Sequence, residues 1–177
     1  MSLIQPGQPG RPAHPAYPAP RYLGGDQGEI NARFRPASAA PDLVSGTGPG
    51  ATTYHYLSTS ASTDGDYGLY RVDMGPRAGG PSTHFHKAIS EAFFVLSGSV
   101  RLFDGERWVT ARSGDHLHVP VGGLHGFRND ADDPASMLML FAPGAPREEY
   151  FEAITRLPDM SDEERREFCE AHDSFFV

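Results

Sequence analysis

His84 and His86 are separated by a single residue, Phe85, in a short run that is typical of a strand. Successive side chains of a strand point to opposite faces, so both imidazoles would lie on the same face and could bind one ion. Histidine pairs of this kind also arise by chance at protein surfaces, and a lone pair is weak support for a metal site. Its interpretation depends on the residues that follow.

The histidine pair opens the first of two blocks of spaced residues. The first has the pattern H-x-H-x4-E-x6-G and the second G-x5-P-x-G-x2-H-x3-N; they are filled by His84, His86, Glu91 and Gly98, then by Gly114, Pro120, Gly122, His125 and Asn129. Together the blocks resemble the paired motifs of the cupin superfamily, and look most like its single-domain, quercetinase-like bacterial members. The one departure is Ala78, which stands where a glycine is usual, with Gly79 and Gly80 just after it.

The resemblance covers residues 51–145 and implies an all-β fold, the double-stranded β-helix or jelly-roll barrel. It also implies that one divalent metal ion is held by His84, His86, Glu91 and His125. Three imidazoles and a carboxylate suit Fe, Mn, Ni, Co, Cu or Zn, which the sequence does not distinguish, and they suit Ca or Mg poorly. Four ligands on an octahedral ion leave two positions open, as a catalytic metal requires.

The family link suggests a metal-dependent dioxygenase that cleaves an enol or phenolic substrate with O2. In this interpretation the substrate's oxygen binds the metal and Glu91 accepts the proton that it loses. One alternative is non-redox isomerase, lyase or cyclase chemistry on a carbonyl compound. Another is a binding module that senses a small ligand without catalysis, because the fold alone does not fix a reaction.

Strand parity suggests further residues for the substrate pocket. Phe93 lies two residues beyond Glu91 and is expected on the same interior face. His116 and His118 share one face of the strand that leads to Pro120, and the sequence leaves open whether that face is the interior, where they could orient substrate, or the surface. Met137 and Met139 could line the pocket wall or belong to the core.

The elements that must position these residues are short and β-rich. We expect strands at 51–58, 66–74, 81–87, 91–97, 98–103, 106–112, 115–120, 124–129 and 135–142. Asp104-Gly105 predicts a two-residue hairpin that pairs Phe103 with Glu106. Apolar spacing after Pro146 predicts a helix, and the capping-box pair Ser161 and Glu164 predicts a second one ending near Ala171.

The predicted organisation is a Pro-rich disordered tail (1–20), an extended arm (21–50), the barrel (51–145) and a helical extension (146–177). Prolines at 6, 9, 12, 15 and 18 match the three-residue turn of polyproline II, which fits either a semi-rigid tail or a docking segment. Residues 136–141 are apolar on both faces, so the outer face must be covered by another sheet, by the arm or by a second subunit. This favours a homodimer.

Composition limits the partners and the location. The formal net charge of −8 argues against nucleic acid, and no apolar run approaches the roughly 20 residues of a membrane-spanning helix. A single cysteine, Cys169, and a start without signal-peptide features predict a cytoplasmic protein. We therefore expect a small-molecule substrate and no nucleic-acid or membrane partner.

Overall fold

Short strands are the main regular secondary structure of residues 18–177, the part of the chain that the computed structural model describes. Within these residues there are eleven strands and two α-helices, with a 3-10 helical segment between the helices. The strands are β1 (Leu43–Ser45), β2 (Thr52–Ser58), β3 (Gly68–Met74), β4 (His84–Phe85), β5 (Ser90–Ser97), β6 (Ser99–Phe103), β7 (Trp108–Arg112), β8 (His116–Val119), β9 (Gly126–Arg128), β10 (Ala135–Ala142) and β11 (Phe175–Phe176). The predicted all-β jelly-roll class is confirmed.

Residues 18–34 are exposed and contain no helix or strand, and they belong to a different compact unit from residues 35–177. Most of the predicted Pro-rich tail, residues 1–17, lies outside the described residues. The division into tail, arm, barrel and extension stays a prediction. Each of the nine predicted strands overlaps an observed one, whereas the short strands β1 and β11 were not expected from the sequence.

The large sheet has the strand order β1-β2-β3-β10-β5-β8 and the smaller one β7-β6-β9. On β3 and β10 every second side chain is buried, which follows from the period-two alternation of a strand with one face on the core. These inward side chains form one core, whose fully buried members include Tyr70, Val72, Phe93, Val95, Val100, Leu102, Met137 and Phe141.

The hairpin between β6 and β7 differs from the expected one. Phe103 pairs with Trp108 rather than with Glu106, so the predicted two-residue turn is wrong and the loop has four residues. The cause is the Asp104 side chain, whose carboxylate accepts hydrogen bonds from the backbone N–H groups of Glu106 and Arg107, both at 2.9 Å. An Asx turn of this kind replaces the tighter backbone turn.

Two residues of the spaced motifs have structural roles. Gly98 has φ +68°, and a Cβ there would meet the carbonyl oxygen of Pro134 at 2.4 Å, so the turn between β5 and β6 requires glycine. Asn129 is buried and its amide nitrogen donates to the carbonyl oxygens of Gly75 and Asp133 at 2.8 and 2.9 Å. These contacts fix the loops that close one end of the barrel.

The C-terminal residues form helices α1 (Glu148–Ala153) and α2 (Asp162–Ala171), joined by the 3-10 segment Ile154–Asp159. Ser161 and Glu164 form the predicted capping box at the start of α2. After α2 the chain returns to the barrel, where β11 pairs with β4. No helix within residues 18–177 is long and apolar enough to cross a membrane.

Candidate metal centre

Four side chains from separate strands and loops converge inside the barrel: those of His84, His86, Glu91 and His125. All four are buried, and one potential ligand atom from each lies within 4.8 Å of the others. The structure therefore brings together the residues that the spaced motifs single out.

Backbone pairing explains the convergence. His84 and His125 exchange two backbone hydrogen bonds, N to O, of 3.0 and 2.9 Å, which places their side chains next to each other. Glu91 lies opposite Val119 on β8 and opposite Phe141 on β10, and its side chain points into the core.

The three imidazoles are held in the tautomer that a metal requires. Each Nδ1 contacts a backbone carbonyl oxygen: His84 that of Ser82 at 3.0 Å, His125 that of Gly123 at 3.0 Å, and His86 that of Asp173. Since a carbonyl oxygen only accepts hydrogen bonds, Nδ1 is the donor. In the neutral ring the Nε2 atom then presents a lone pair, and this second contact also fixes the ring orientation.

The free ends of these rings meet the carboxylate of Glu91. Its Oε2 atom lies 3.2 Å from Nε2 of His86 and 2.8 Å from Nε2 of His125. Nε2 of His125 is buried and forms no hydrogen bond of acceptable geometry with any residue from 18 to 177. Electron-rich atoms this close together require a positive charge between them, so the donor set fits a divalent cation.

The electrostatics of the cluster agree with this interpretation. Burial, and then the adjacent His125 imidazole, lower the pKa of His84 to about 4, so His84 is neutral at pH 7. Burial by itself would raise the pKa of the Glu91 carboxyl, but the neighbouring His125 and His86 outweigh it and hold that pKa below its usual range. Glu91 is therefore anionic and His84 neutral, the protonation states that metal binding demands of these two residues.

A cavity of about 780 Å³ opens beside the cluster, and both His84 and Glu91 line it. This volume suits a small-molecule ligand. Its walls are mainly apolar, with contributions from Tyr54, Phe127, Met139, Phe141, Tyr150 and Phe151. Ring contacts order this wall: Tyr54 stacks on Phe151 with centroids 5.0 Å apart, and Phe141 lies 6.3 Å from the same ring.

The other predicted pocket residues divide into three groups. Met139 lines the cavity, whereas Phe93 and Met137 are buried in the core and do not line it. His116 and His118 are exposed. They pair with Phe94 and Ala92 on the outer face of β5, so the structure places both outside the pocket that was suggested for them. Leu117 and Val119 alternate with these histidines and point toward the core. Their apolar character is the sequence signal that the histidines face outward.

The C-terminal segment contributes contacts that the sequence did not indicate. Besides the carbonyl of Asp173 on His86, the ring of Phe176 stacks on that of His84 with centroids 5.1 Å apart. Arg147, at the start of α1, is buried in the cavity wall. A solitary arginine or a terminal phenylalanine has no motif spacing that would identify it in advance.

Part of the chain matches a known protein family. Residues 70–141 match the family model described as a cupin domain. Polyketide synthase CurC of Streptomyces cyaneus is 31% identical over 106 residues, which cover 59% of this chain and 66% of that protein. Quercetin 2,3-dioxygenase of Bacillus subtilis is 26% identical over 95 residues, or 54% of this chain. The alignment spans only 28% of that dioxygenase.

Solved structures share the fold at lower identity. The polyketide cyclase RemF from Streptomyces resistomycificus superposes with a TM-score of 0.52 and 23% identity, covering 65% of this chain and 81% of its own. A predicted oxalate decarboxylase from Thermotoga maritima gives a TM-score of 0.50 at 18% identity, covering 53% and 82%. These similarities concern the barrel.

Proposed function

We infer that this chain, which belongs to the cupin superfamily, is a metal-dependent dioxygenase acting on a hydrophobic enol or phenol. One observation carries the inference: an anionic carboxylate, that of Glu91, lies among three buried histidines beside a mainly apolar cavity. The arrangement combines a cation site with the one group that can accept a proton from a bound hydroxyl.

His84, His86, Glu91 and His125 would hold the ion. A bound Fe, Mn, Ni, Co, Cu or Zn ion would supply Lewis acidity toward a substrate oxygen, and a redox-active one could also support O2 chemistry. The histidines are already ordered by their Nδ1 contacts, so little reorganisation accompanies binding.

The protein groups then act on the substrate. Phe141 and Phe151 present ring faces and edges to an aromatic molecule, and their burial excludes water from the reacting end. Glu91 takes the hydroxyl proton, which leaves an electron-rich carbon framework. Both atoms of O2 enter the organic product as the carbon skeleton is cleaved, so the substrate supplies the electrons and no further reductant is needed.

Support for the dioxygenase comes from the similarity to quercetin 2,3-dioxygenase, and the higher identity to CurC favours a second candidate. In that candidate the same carboxylate removes a proton from a polycarbonyl chain and the resulting carbanion closes a ring without oxidation. The two reactions share the deprotonation step and differ in their need for O2.

Oxygen uptake separates the candidates. Protein reconstituted in turn with Fe, Mn, Ni, Co, Cu and Zn should be incubated with quercetin, simpler phenols and linear polycarbonyl compounds, in air and without oxygen. Stoichiometric O2 consumption with substrate loss supports the dioxygenase, and anaerobic substrate conversion supports the cyclase. Ligand binding without conversion under either condition would overturn both and leave a binding module.

Partner and location remain separate proposals. We retain a homodimer in the cytoplasm as the expected form of the protein. The homodimer rests on the apolar outer face of the large sheet, where Phe94 and Leu96 are 41% and 37% exposed.

A further inference from the structure

Arg147 is a buried cation in the wall of the cavity that also contains Glu91. Its side chain is only 3% exposed. Among residues 18–177, no carboxylate forms an ion pair with its guanidinium, since every ion pair between described residues involves other groups. A buried charge without an ion-pair contact is costly to keep and calls for a reason.

The groups in direct contact with Arg147 are uncharged, and the carboxylates of Glu91 and Asp173 act on it only through space. Its Nη1 donates to the carbonyl of His172 and its Nη2 to the hydroxyl of Ser174 at 3.2 Å. The guanidinium carbon lies 4.2 Å from the ring centroid of Tyr150 and 5.2 Å from that of Phe141. These partners fix the orientation of the guanidinium but do not cancel its charge.

One N–H group of the Arg147 guanidinium is unpaired among the described residues. Nε is buried and has no hydrogen-bond partner among residues 18–177. Burial lowers the pKa of Arg147, yet a guanidinium stays charged in proteins. Arg147 therefore places a fixed positive charge in the lining of a cavity whose walls are otherwise mainly apolar.

We propose that Arg147 forms an anion-binding subsite that selects hydrophobic substrates carrying a carboxylate or an ionised hydroxyl. The proposal rests on the proposed function, in that it takes this cavity to be the substrate site. Arg147 would bind the acidic group, and the enol or phenol oxygen would then lie toward Glu91 and the histidines. The substrate class is thereby narrowed to organic anions with an aromatic or similarly apolar body.

Calorimetric titration with a matched pair of probes tests the subsite. 2-Naphthoate and 2-naphthamide have the same apolar body and differ in charge. Zinc-loaded full-length protein should bind the naphthoate more tightly, and Arg147→Gln should reduce this preference about tenfold or more, as expected for lost hydrogen bonds to a charged group. Affinity for the amide should change little.

Arg166→Gln is the control, because Arg166 lines the rim of the same cavity with its side chain 65% exposed. Solvent screens that charge, so the naphthoate preference should persist. An Arg147→Gln protein that folds, contains zinc and keeps the wild-type preference overturns the proposal. If Arg147→Gln does not fold, the two probes are titrated into metal-free wild-type protein, in which zinc cannot cause a preference for the naphthoate. Equal affinity for both probes, or no binding of the naphthoate, would then overturn the subsite.

These titrations measure binding alone. A protein that shows the Arg147-dependent preference but neither consumes O2 nor converts substrate would contradict the proposed function and leave the subsite standing. A protein that converts substrate but shows no Arg147-dependent preference would contradict the subsite and leave the proposed function standing.

Discussion

His86 donates a hydrogen bond from Nδ1 to the backbone carbonyl of Asp173, a residue 87 positions further along the chain. The Asp173 carboxylate in turn accepts hydrogen bonds from the backbone N–H groups of Lys87, Ala88 and Ile89, at 2.8, 2.9 and 3.3 Å. The C-terminal segment thus holds both a metal-binding side chain and the turn that follows it.

Replacing Asp173 should weaken metal binding although Asp173 is not a ligand. Asp173 has φ +55°, so Asp173→Gly removes the carboxylate without adding backbone strain. The carboxylate anchors the segment whose backbone carbonyl contacts His86, so we expect zinc affinity to fall by roughly 10–100-fold, the usual effect of disturbing a group that orients a ligand. Competition with a chelator measures the affinity, and the Co(II) absorption spectrum reports any change in ligand geometry.

Asp173→Asn provides the conservative comparison, since asparagine tolerates positive φ and its amide oxygen still accepts hydrogen bonds. It should recover part of the lost affinity. Asp162→Ala, at an exposed position on α2, should bind zinc normally. Unchanged affinity and spectrum in Asp173→Gly would show that the C-terminal segment does not position His86.

Acid should destabilise the metal-free protein through His84. Its pKa is about 4 in the folded state against an ordinary value of 6.5, so between these values the unfolded chain binds a proton and the folded chain does not. The free energy of unfolding therefore falls as the pH falls through this window. At pH 5 the His84 contribution is about 2 kcal/mol.

Urea unfolding at pH 7 and pH 5 measures this effect. His84→Gln should lose less stability than wild type on acidification, by about that 2 kcal/mol. His116→Gln removes an exposed histidine and should behave like wild type. Equal acid sensitivity in wild type and His84→Gln would refute the assignment.

The sequence predicts those parts of the site whose residues are joined by short motif spacings, and it misses contacts between residues that are far apart in the chain. Strand geometry places His84 and His86 on one face, and the resemblance to the paired cupin motifs adds Glu91 and His125, so the cluster was predictable. The contact of Asp173 with His86 joins residues that no local pattern connects, because it depends on how α2 returns the chain to the barrel.

The same distinction holds for the fold. Strands with strong alternation, such as β3 and β10, were predicted within two residues of their observed ends. The β6–β7 turn was missed because the Asp104 side chain outweighed the preference of an Asp-Gly pair. β11 has only two residues and exists through its pairing with β4, which no propensity reveals.

The outer face of the large sheet should form the dimer interface. Phe94 and Leu96 project from β5 and are exposed, and Leu138 and Leu140 on the adjacent β10 are partly buried. Phe94→Asp should convert a dimer to a monomer, as judged by light scattering coupled to gel filtration, because a buried unpaired charge opposes association. Thr110→Asp, an exposed position on the other sheet, is the control. A wild-type monomer at all concentrations tested would contradict the dimer.

Glu91 should matter more for turnover than for metal retention. Three imidazoles can hold a divalent ion, whereas the carboxylate is the only member of the cluster that is anionic and able to accept a substrate proton. Glu91→Gln should keep most of its metal and lose at least roughly a hundredfold in rate. His118→Ala, on the outer face, should retain the wild-type rate. Near-normal turnover in metal-loaded Glu91→Gln would leave Glu91 as a structural ligand only.

Metal content tests the central claim most directly. Elemental analysis of wild-type protein, purified and reconstituted at neutral pH, should give about one equivalent of a first-row transition metal per chain. His125→Ala should lose most of it, because His125 is 0% exposed and its Nε2 atom has no other hydrogen-bond partner in the described part of the chain. His118→Ala, exposed on the outer face, should keep the full equivalent. A wild-type content near zero after reconstitution, with no change in melting temperature, would contradict the metal centre.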